Sequence, residues 1–321
     1  MKKTLLMLTL AILWLCSCSP AAARLGGDTP WMAGLSAQGA RQSTLTDWRR
    51  PGKITPTQAN VPYYAEAPGV KSISTSLDIY TVEGWKDHPI MIYVHGGGWS
   101  KGDKAQVLYK PEAFNDAGYV FVSVNYRLLP EADLSLQAQD IARAIAWTGE
   151  HAGEFGGGER ITLMGHSAGA HLVSLVGSDA TYLEAEGLSL KTLSGVVSLD
   201  SQAYDIPALM HSMRGSFMLG GRIYRQAFGS DPKVWEKLSP ITHIAPGNGT
   251  PPFLVAYSGS GAGRINFSKL FVQRLLEAGV EAELLPATDK THAQINSEIG
   301  LPNDPVTKAI FAFLEQVAYN N

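Results

Sequence analysis

The sequence contains little cysteine, no block of basic residues and no metal-binding pattern. Its only two cysteines, Cys16 and Cys18, lie near the N-terminus, so the rest of the chain offers no thiol for a disulfide, a metal cluster or a nucleophile. The net charge is -3 and lysine and arginine are dispersed, which disfavours nucleic-acid binding. Histidine, aspartate and glutamate show no spacing typical of a ligand set, and neither a metal nor a cofactor is expected.

The first 18 residues have the pattern of an export signal. Two lysines precede an apolar run, residues 4–15, that is too short to favour a membrane span. Residues 15–18 resemble a bacterial lipobox, in which Cys18 is the lipidated residue. Cleavage after the small residues 21–23 is the alternative. We therefore expect a periplasm-facing or outer-membrane lipoprotein, attached to the membrane only through its N-terminal lipid, or else a soluble periplasmic or secreted protein.

The remaining chain divides into a linker and one large domain. Residues 19–60 are rich in small and polar residues without sustained periodicity, which is typical of a flexible linker. The whole chain is 45% hydrophobic and 17% charged, enough apolar material for a large core. Residues 61–321 are therefore expected to fold as one domain. The sequence does not predict its oligomeric state.

Short apolar runs alternate with helical patterns from residue 72 onward, which predicts an α/β fold. Several runs are apolar throughout, as in the mostly parallel sheets that helices cover on both faces. Such a doubly wound sheet binds ligands beyond the carboxyl ends of its strands. A long excursion over about 204–252 is expected to form a cap. The predicted strands are 77–82, 90–94, 120–124, 161–164, 196–199, 253–257 and 282–285, and the predicted helices are 137–150, 168–176, 268–278 and 306–317.

The pentapeptide Gly-His-Ser-Ala-Gly at 165–169 follows a predicted strand and opens a predicted helix. This is the context of a nucleophile elbow, a tight turn that exposes the serine hydroxyl at the edge of the sheet. Residues two before and two after Ser167 must lack bulk in such a turn, which explains Gly165 and Gly169. By itself the pattern is weak, because the chain has 33 glycines. Its position makes Ser167 the predicted nucleophile.

A second glycine motif, His-Gly-Gly-Gly-Trp at 95–99, comes directly after another predicted strand. Successive glycines let backbone N–H groups approach a substrate closely and point at a developing oxyanion. The N–H of Ala168 lies at the positive start of a helix and suits the same purpose. The two motifs, each directly after a predicted strand, together indicate acyl-transfer chemistry.

Five motifs together resemble the hormone-sensitive-lipase and BD-FAE-like group of α/β-hydrolases, and the resemblance extends over residues 61–318. They are residues 95–99, 125–131, Trp147, 155–157 and 165–171. The resemblance implies the α/β-hydrolase fold, hydrolysis of carboxylic esters and an oxyanion hole formed by the backbone N–H groups of Gly97, Gly98 and Ala168.

The order of catalytic residues in this fold places the base after the acid and late in the chain. Only His292 follows the last predicted strand, and it lies in a polar loop before the C-terminal helix. The related sequences have their base in this loop. His292 is therefore the predicted base, whereas His95 and His166 are expected to orient the glycine loop and the elbow.

The acid is harder to predict. Related sequences carry an aspartate after the strand at 253–257, but residues 258–264 of this chain contain no carboxylate. The preceding strand ends in Asp200, which would still lie on the rim that faces the base, and we assign the acid there. Asp205 and Asp289 remain alternatives, as does a site without an acid.

The sequence thus predicts a serine carboxylic-ester hydrolase that acts through an acyl-enzyme on a small or medium ester, with acetyl and feruloyl esters among the substrates that the resemblance permits. Two alternatives stay open. An amidase or formamidase of the same fold would share every motif. A non-catalytic envelope lipoprotein that uses the fold as a binding module is favoured by the missing acid and opposed by the intact serine, histidine and glycine loop.

Overall fold

An eight-stranded sheet organises residues 55–64, 72–213, 219–259 and 261–319, the parts of the chain that the computed structural model describes. The predicted export signal with Cys18, and all of the predicted linker before residue 55, lie outside these residues. The strands are β1 (Gln58–Pro62), β2 (Ser76–Tyr80), β3 (His88–Val94), β4 (Val120–Val124), β5 (Gly157–His166), β6 (Leu193–Leu199), β7 (Phe253–Ser258) and β8 (Ala282–Ala287).

The strand order is β1-β2-β4-β3-β5-β6-β7-β8. The pairs β1–β2 and β2–β4 are antiparallel and all other pairs are parallel. The carboxyl ends of the six parallel strands, β3 to β8, therefore lie along one edge of the sheet, where ligands bind in open α/β folds. All seven predicted strands are confirmed, and so is the doubly wound, mostly parallel sheet.

The edge strand β1 is an addition to the prediction. It begins at Gln58, inside the predicted linker, so the ordered sheet starts before residue 61. All five of its residues are exposed or half-buried, which leaves no hydrophobic pattern to find. A buried polar group attaches it instead: the Lys104 ammonium lies 2.9 Å from Asp78 on β2 and donates to Asn60 on β1 at 2.7 Å.

Helices cover both faces of the sheet. Residues of α2, α3 and α8 share one buried cluster with strand residues such as Ile90 and Ile92, and residues of α1 and α10 share another with Met91 and Tyr93. The α-helices are α1 (Lys110–Asp116), α2 (Leu134–His151), α3 (Ala168–Val176), α4 (Ala180–Glu184), α5 (Ile206–Ser212), α6 (Leu219–Phe228), α7 (Pro232–Lys237), α8 (Ala262–Glu277), α9 (Gln294–Ser297) and α10 (Pro305–Tyr319). The four predicted helices correspond to α2, α3, α8 and α10, although α8 begins six residues before its predicted start.

The excursion between β6 and β7 forms the expected cap. It contains α5, α6 and α7, and α6 packs over the glycine loop through Tyr224 and Phe228, whose ring centroids lie 5.8 and 5.0 Å from that of Trp99. Met210 and Met213 pack half-buried against the core, and Arg222 and Arg225 are exposed. No helix in the described ranges is both long and apolar enough to span a membrane.

Candidate active site

Ser167 occupies a sharp turn between the end of β5 and the start of α3. Its backbone has φ 57° and ψ -115°, a conformation that is costly for a residue with a side chain. The turn is held by the Ser167 N–H, which donates to the carbonyl of Leu199 on β6 at 2.9 Å. The strand-to-helix context inferred from the sequence is therefore present, and the hydroxyl opens into a pocket.

The glycines on either side of Ser167 are required by close backbone contacts. A Cβ atom on Gly165 would lie 2.4 Å from the carbonyl oxygen of Gly169, and one on Gly169 would lie 2.2 Å from the carbonyl oxygen of Val94. Both distances are far below a van der Waals contact. The elbow thus packs directly against the end of β3, which leads into the glycine loop.

The structure brings Ser167, His292 and Asp200 together in one line of hydrogen bonds. His292 lies in the loop between β8 and α9, and its Nε2 is 3.0 Å from the Ser167 hydroxyl. Its Nδ1 is 2.6 Å from a carboxylate oxygen of Asp200, which follows β6. Because an ionised carboxylate only accepts, Nδ1 carries the proton and Nε2 of the neutral ring is free to accept from Ser167.

Asp200 is held by groups that favour its ionised form. Its side chain is fully buried, and burial raises the pKa of the carboxyl. The hydrogen bond from His292, the N–H and hydroxyl of Ser258 at 2.7 Å each, and the Arg264 guanidinium at 3.3 Å outweigh that effect, so the pKa of Asp200 lies below its usual value. The carboxylate is therefore charged at neutral pH.

The two alternative acids lie elsewhere. Asp205 caps α5, where its side chain accepts from the N–H of Ala208 at 2.9 Å. Asp289 is exposed in the turn after β8. Of the three candidates, only Asp200 contacts His292 within the described part of the chain.

The glycine loop places backbone N–H groups next to Ser167. Gly97, Gly98 and Ala168 all line the same pocket, and within the described residues none of their N–H groups donates to a protein acceptor. Gly97 has φ 128°, and a Cβ there would lie 2.0 Å from the carbonyl oxygen of Lys101. Ala168 is the first residue of α3. The arrangement can receive a negatively charged oxygen.

The two motif histidines are buried and lie beside the site. Burial lowers the pKa of His95, whose ring stacks on Tyr126 with centroids 4.6 Å apart and contacts the carbonyl of Gly96. Burial also lowers the pKa of His166, to about 3. Both rings are therefore neutral at physiological pH, and their contacts fit the orienting roles expected from the sequence.

The pocket in front of Ser167 has a volume of about 580 Å³ and a mixed polar and apolar lining. Sequence reasoning missed most of the residues around Ser167, His292 and Asp200, because they come from five separate segments and form no local motif. Among these segments, only the loop after β7 was conspicuous in the sequence, because it lacks the carboxylate that related sequences carry there. The residues missed are Tyr93, Gln202, Ile223, Tyr224, Ser258, Arg264 and Asn296.

Comparison with known proteins identifies the family of this chain. The sequence profile of the BD-FAE family matches residues 77–261, which is more than half of the chain. Esterase LipQ of Mycobacterium tuberculosis is 28% identical over 68% of this chain and 46% of its own length. Carboxylesterase NlhH of the same species is 29% identical over 67% and 69%, respectively. This chain thus spans about half of LipQ and two thirds of NlhH.

Solved structures agree with the fold. The propionate-bound esterase Est2 of Thermogutta terrifontis superposes with a TM-score of 0.60 and is 24% identical, covering 75% of this chain and 89% of its own. The predicted α/β-hydrolase fold is thereby confirmed. Among the relatives is also a kynurenine formamidase of Danio rerio, 33% identical over 40% of this chain and 41% of its own length.

Proposed function

This chain belongs to the BD-FAE family, and we propose that it is a serine carboxylesterase that acts through an acyl-enzyme on small or medium esters. One observation carries the proposal: Ser167, His292 and Asp200 are joined by hydrogen bonds of 3.0 and 2.6 Å at the mouth of a pocket. The esterases among the relatives support the same reaction class.

In the proposed reaction, Nε2 of His292 takes the proton of Ser167 while Oγ attacks the ester carbonyl carbon. The carbonyl oxygen becomes an oxyanion that accepts hydrogen bonds from the N–H groups of Gly97, Gly98 and Ala168. His292 then gives its proton to the leaving alcohol. A water molecule, activated by the same base, attacks the acyl-enzyme and releases the acid. Asp200 stabilises the imidazolium in both steps.

The substrate is proposed to be an acetyl or feruloyl ester, or another ester of similar size. A pocket of about 580 Å³ has room for a compact acyl group together with part of the alcohol. Its mixed lining, with Tyr224 and Ile223 beside Gln202, suits an apolar acyl group next to a polar ester. A purified-enzyme comparison of p-nitrophenyl acetate, longer acyl homologues and a feruloyl ester, read as kcat/KM, ranks these possibilities.

The test of the reaction class combines that series with Ser167→Ala and a fluorophosphonate probe. We expect the wild-type protein to hydrolyse at least one ester, Ser167→Ala to lose that activity, and the probe to label Ser167. Esterase activity that survives in Ser167→Ala, or a label on another residue, would contradict the proposed mechanism.

A formamidase is the second candidate, favoured by the relative that carries this name. Amide and formamide hydrolysis use the same serine, base and oxyanion donors as ester hydrolysis. Matched ester, anilide and formanilide substrates separate them. A kcat/KM that is higher for the formanilide than for the ester would replace the first proposal with the second.

Export and lipidation complete the proposal. The support is the N-terminal pattern that ends in Cys18, which lies outside the described residues. Growth with radiolabelled palmitate should label the wild-type protein and leave Cys18→Ala unlabelled. Absence of label from both proteins would favour the alternative of ordinary signal cleavage, whereas a label on both would place the lipid on a residue other than Cys18. A non-catalytic binding role loses its main support, because Asp200 contacts the base where the usual acid is missing.

A further inference from the structure

His292 forms hydrogen bonds with two consecutive residues of the elbow. Its side chain contacts the hydroxyl of Ser167, and its backbone carbonyl lies 2.8 Å from Nε2 of His166. We propose that His166 is a positioning residue that fixes the base by hydrogen bonding to the carbonyl of His292. The inference rests on the proposed role of His292 as the base.

The hydrogen bond has one possible direction. A carbonyl oxygen only accepts, so Nε2 of His166 must carry the proton and donate it. His166 is 9% exposed, and burial together with the nearby His292 keeps its ring neutral, with a pKa of about 3. The donor is therefore present throughout the pH range in which an esterase works, and the ring does not compete with His292 as a base.

The loop that carries the base needs such an attachment. The side chain of His292 is 41% exposed, whereas that of Asp200 is fully buried. The rings of His166 and His292 also contact each other, with centroids 4.6 Å apart and an angle of 37° between their planes. Since His166 and Ser167 share a peptide bond, any movement of the elbow is transmitted to the carbonyl of the base.

His166 is itself held firmly. A Cβ on Gly96 would lie 2.9 Å from the His166 carbonyl oxygen and 3.1 Å from its Nδ1, so the glycine loop packs against this residue without a gap. His166 thus touches the oxyanion loop on one side and the base on the other. It is covalently linked to Ser167, and it contacts the glycine loop and His292 without a covalent bond.

Two substitutions of His166 by residues with amide side chains test the proposal, because the two side chains carry the same functional group and differ in length. The side-chain amide of His166→Gln extends about as far as Nε2 of histidine, whereas that of His166→Asn is one carbon shorter. We expect His166→Asn to lose about 10- to 100-fold in kcat, the range that a displacement of about 1 Å costs. KM should change little, and His166→Gln should recover most of the loss.

The rate of fluorophosphonate labelling at Ser167 is measured beside turnover. It reports the activated serine even if no ester tried is a substrate, so failure of the proposed ester specificity does not obscure the result. Labelling of His166→Asn at the wild-type rate would overturn the proposal, as would equal losses in both variants when thermal unfolding shows both to be folded. His166→Leu, which fills the space without a donor, replaces His166→Asn if that variant does not fold.

Discussion

The carboxylate of Asp200 accepts two hydrogen bonds from Ser258, one from its backbone N–H and one from its hydroxyl, each 2.7 Å long. Ser258 is the last residue of β7, the strand after which related sequences carry the acid. In this chain β7 supports an acid that lies on the neighbouring strand end. The end of β7 thus holds the carboxylate of Asp200 through Ser258 and supplies no carboxylate of its own.

Substitution of the three candidate acids should give unequal losses. Asp200→Asn removes the charge that stabilises the imidazolium and the acceptor that fixes its tautomer, so we expect kcat to fall about 10⁴-fold. Asp205→Asn keeps a capping side chain and Asp289→Asn lies in an exposed turn, so both should remain near wild-type. Turnover of a p-nitrophenyl ester measures all three, and a near-wild-type Asp200→Asn would refute the assignment.

Removal of the Ser258 hydroxyl should weaken the acid without deleting it. A hydrogen bond to a charged group contributes about 1.5–3 kcal/mol, so Ser258→Ala should lower kcat/KM by about 10- to 100-fold. Ser212→Ala, at the exposed end of α5, is the matched control and should leave kcat/KM unchanged. Equal activity of the two variants would mean that the Ser258 N–H and Arg264 hold the carboxylate without the hydroxyl.

A side chain at Gly259 should displace the loop of the base. A Cβ there would lie 1.9 Å from the carbonyl oxygen of Thr288, and the Gly259 N–H donates to the carbonyl of Lys290, two residues before His292. We expect Gly259→Ala to lower both kcat and the melting temperature. Gly153→Ala, which meets no atom within 4 Å, should change neither. A fully active Gly259→Ala would show that the loop tolerates the shift.

The buried Lys110 should make stability depend on pH. It is fully buried, with the Asn296 carbonyl as acceptor at 2.8 Å, and burial lowers its pKa from 10.5 to about 7. Between these two values the unfolded chain binds the extra proton, so the free energy of unfolding rises with pH over that window. Lys110→Met lacks this dependence.

We therefore expect Lys110→Met to gain most, relative to wild-type, at or below pH 7, and to lose that gain as the pH approaches 10. Urea unfolding at pH 7 and pH 10 measures the difference. Lys233→Met, on the exposed face of α7, is the control and should show no such change. A pH-independent difference for Lys110→Met would mean that Lys110 stays charged in the folded protein.

The sequence predicted those parts of the fold in which local pattern and tertiary environment agree. Apolar runs such as Ile90 to Val94 are buried along their length, and the predicted helix 306–317 packs Ile310, Phe313, Leu314 and Val317 against the sheet. The strand β1 was missed because polar pairing with β2, and not burial, holds it in place.

In the candidate site, too, the residues in local motifs were predicted and those that depend on tertiary contacts were not. Ser167 and Gly97 belong to local motifs whose backbone demands are visible in the residue types, and chain order singled out His292. The position of Asp200 followed from the absence of a carboxylate after β7. Ser258 and Arg264 could not be predicted, because their contacts to Asp200 depend on how two strand ends lie in space.

The N–H of Ser167 donates a hydrogen bond to the carbonyl of Leu199, the last residue of β6. Leu199 is followed directly by Asp200, so the serine and the carboxylate are fixed to one another by a single pair of neighbouring strands. Only His292 lies on a separate loop, between β8 and α9. For protein engineering, a recipient sheet would have to supply four neighbouring strand ends and one loop: the ends of β5 and β6 for the serine and the carboxylate, that of β3 for the glycine loop, that of β7 for Ser258, and the loop that carries His292.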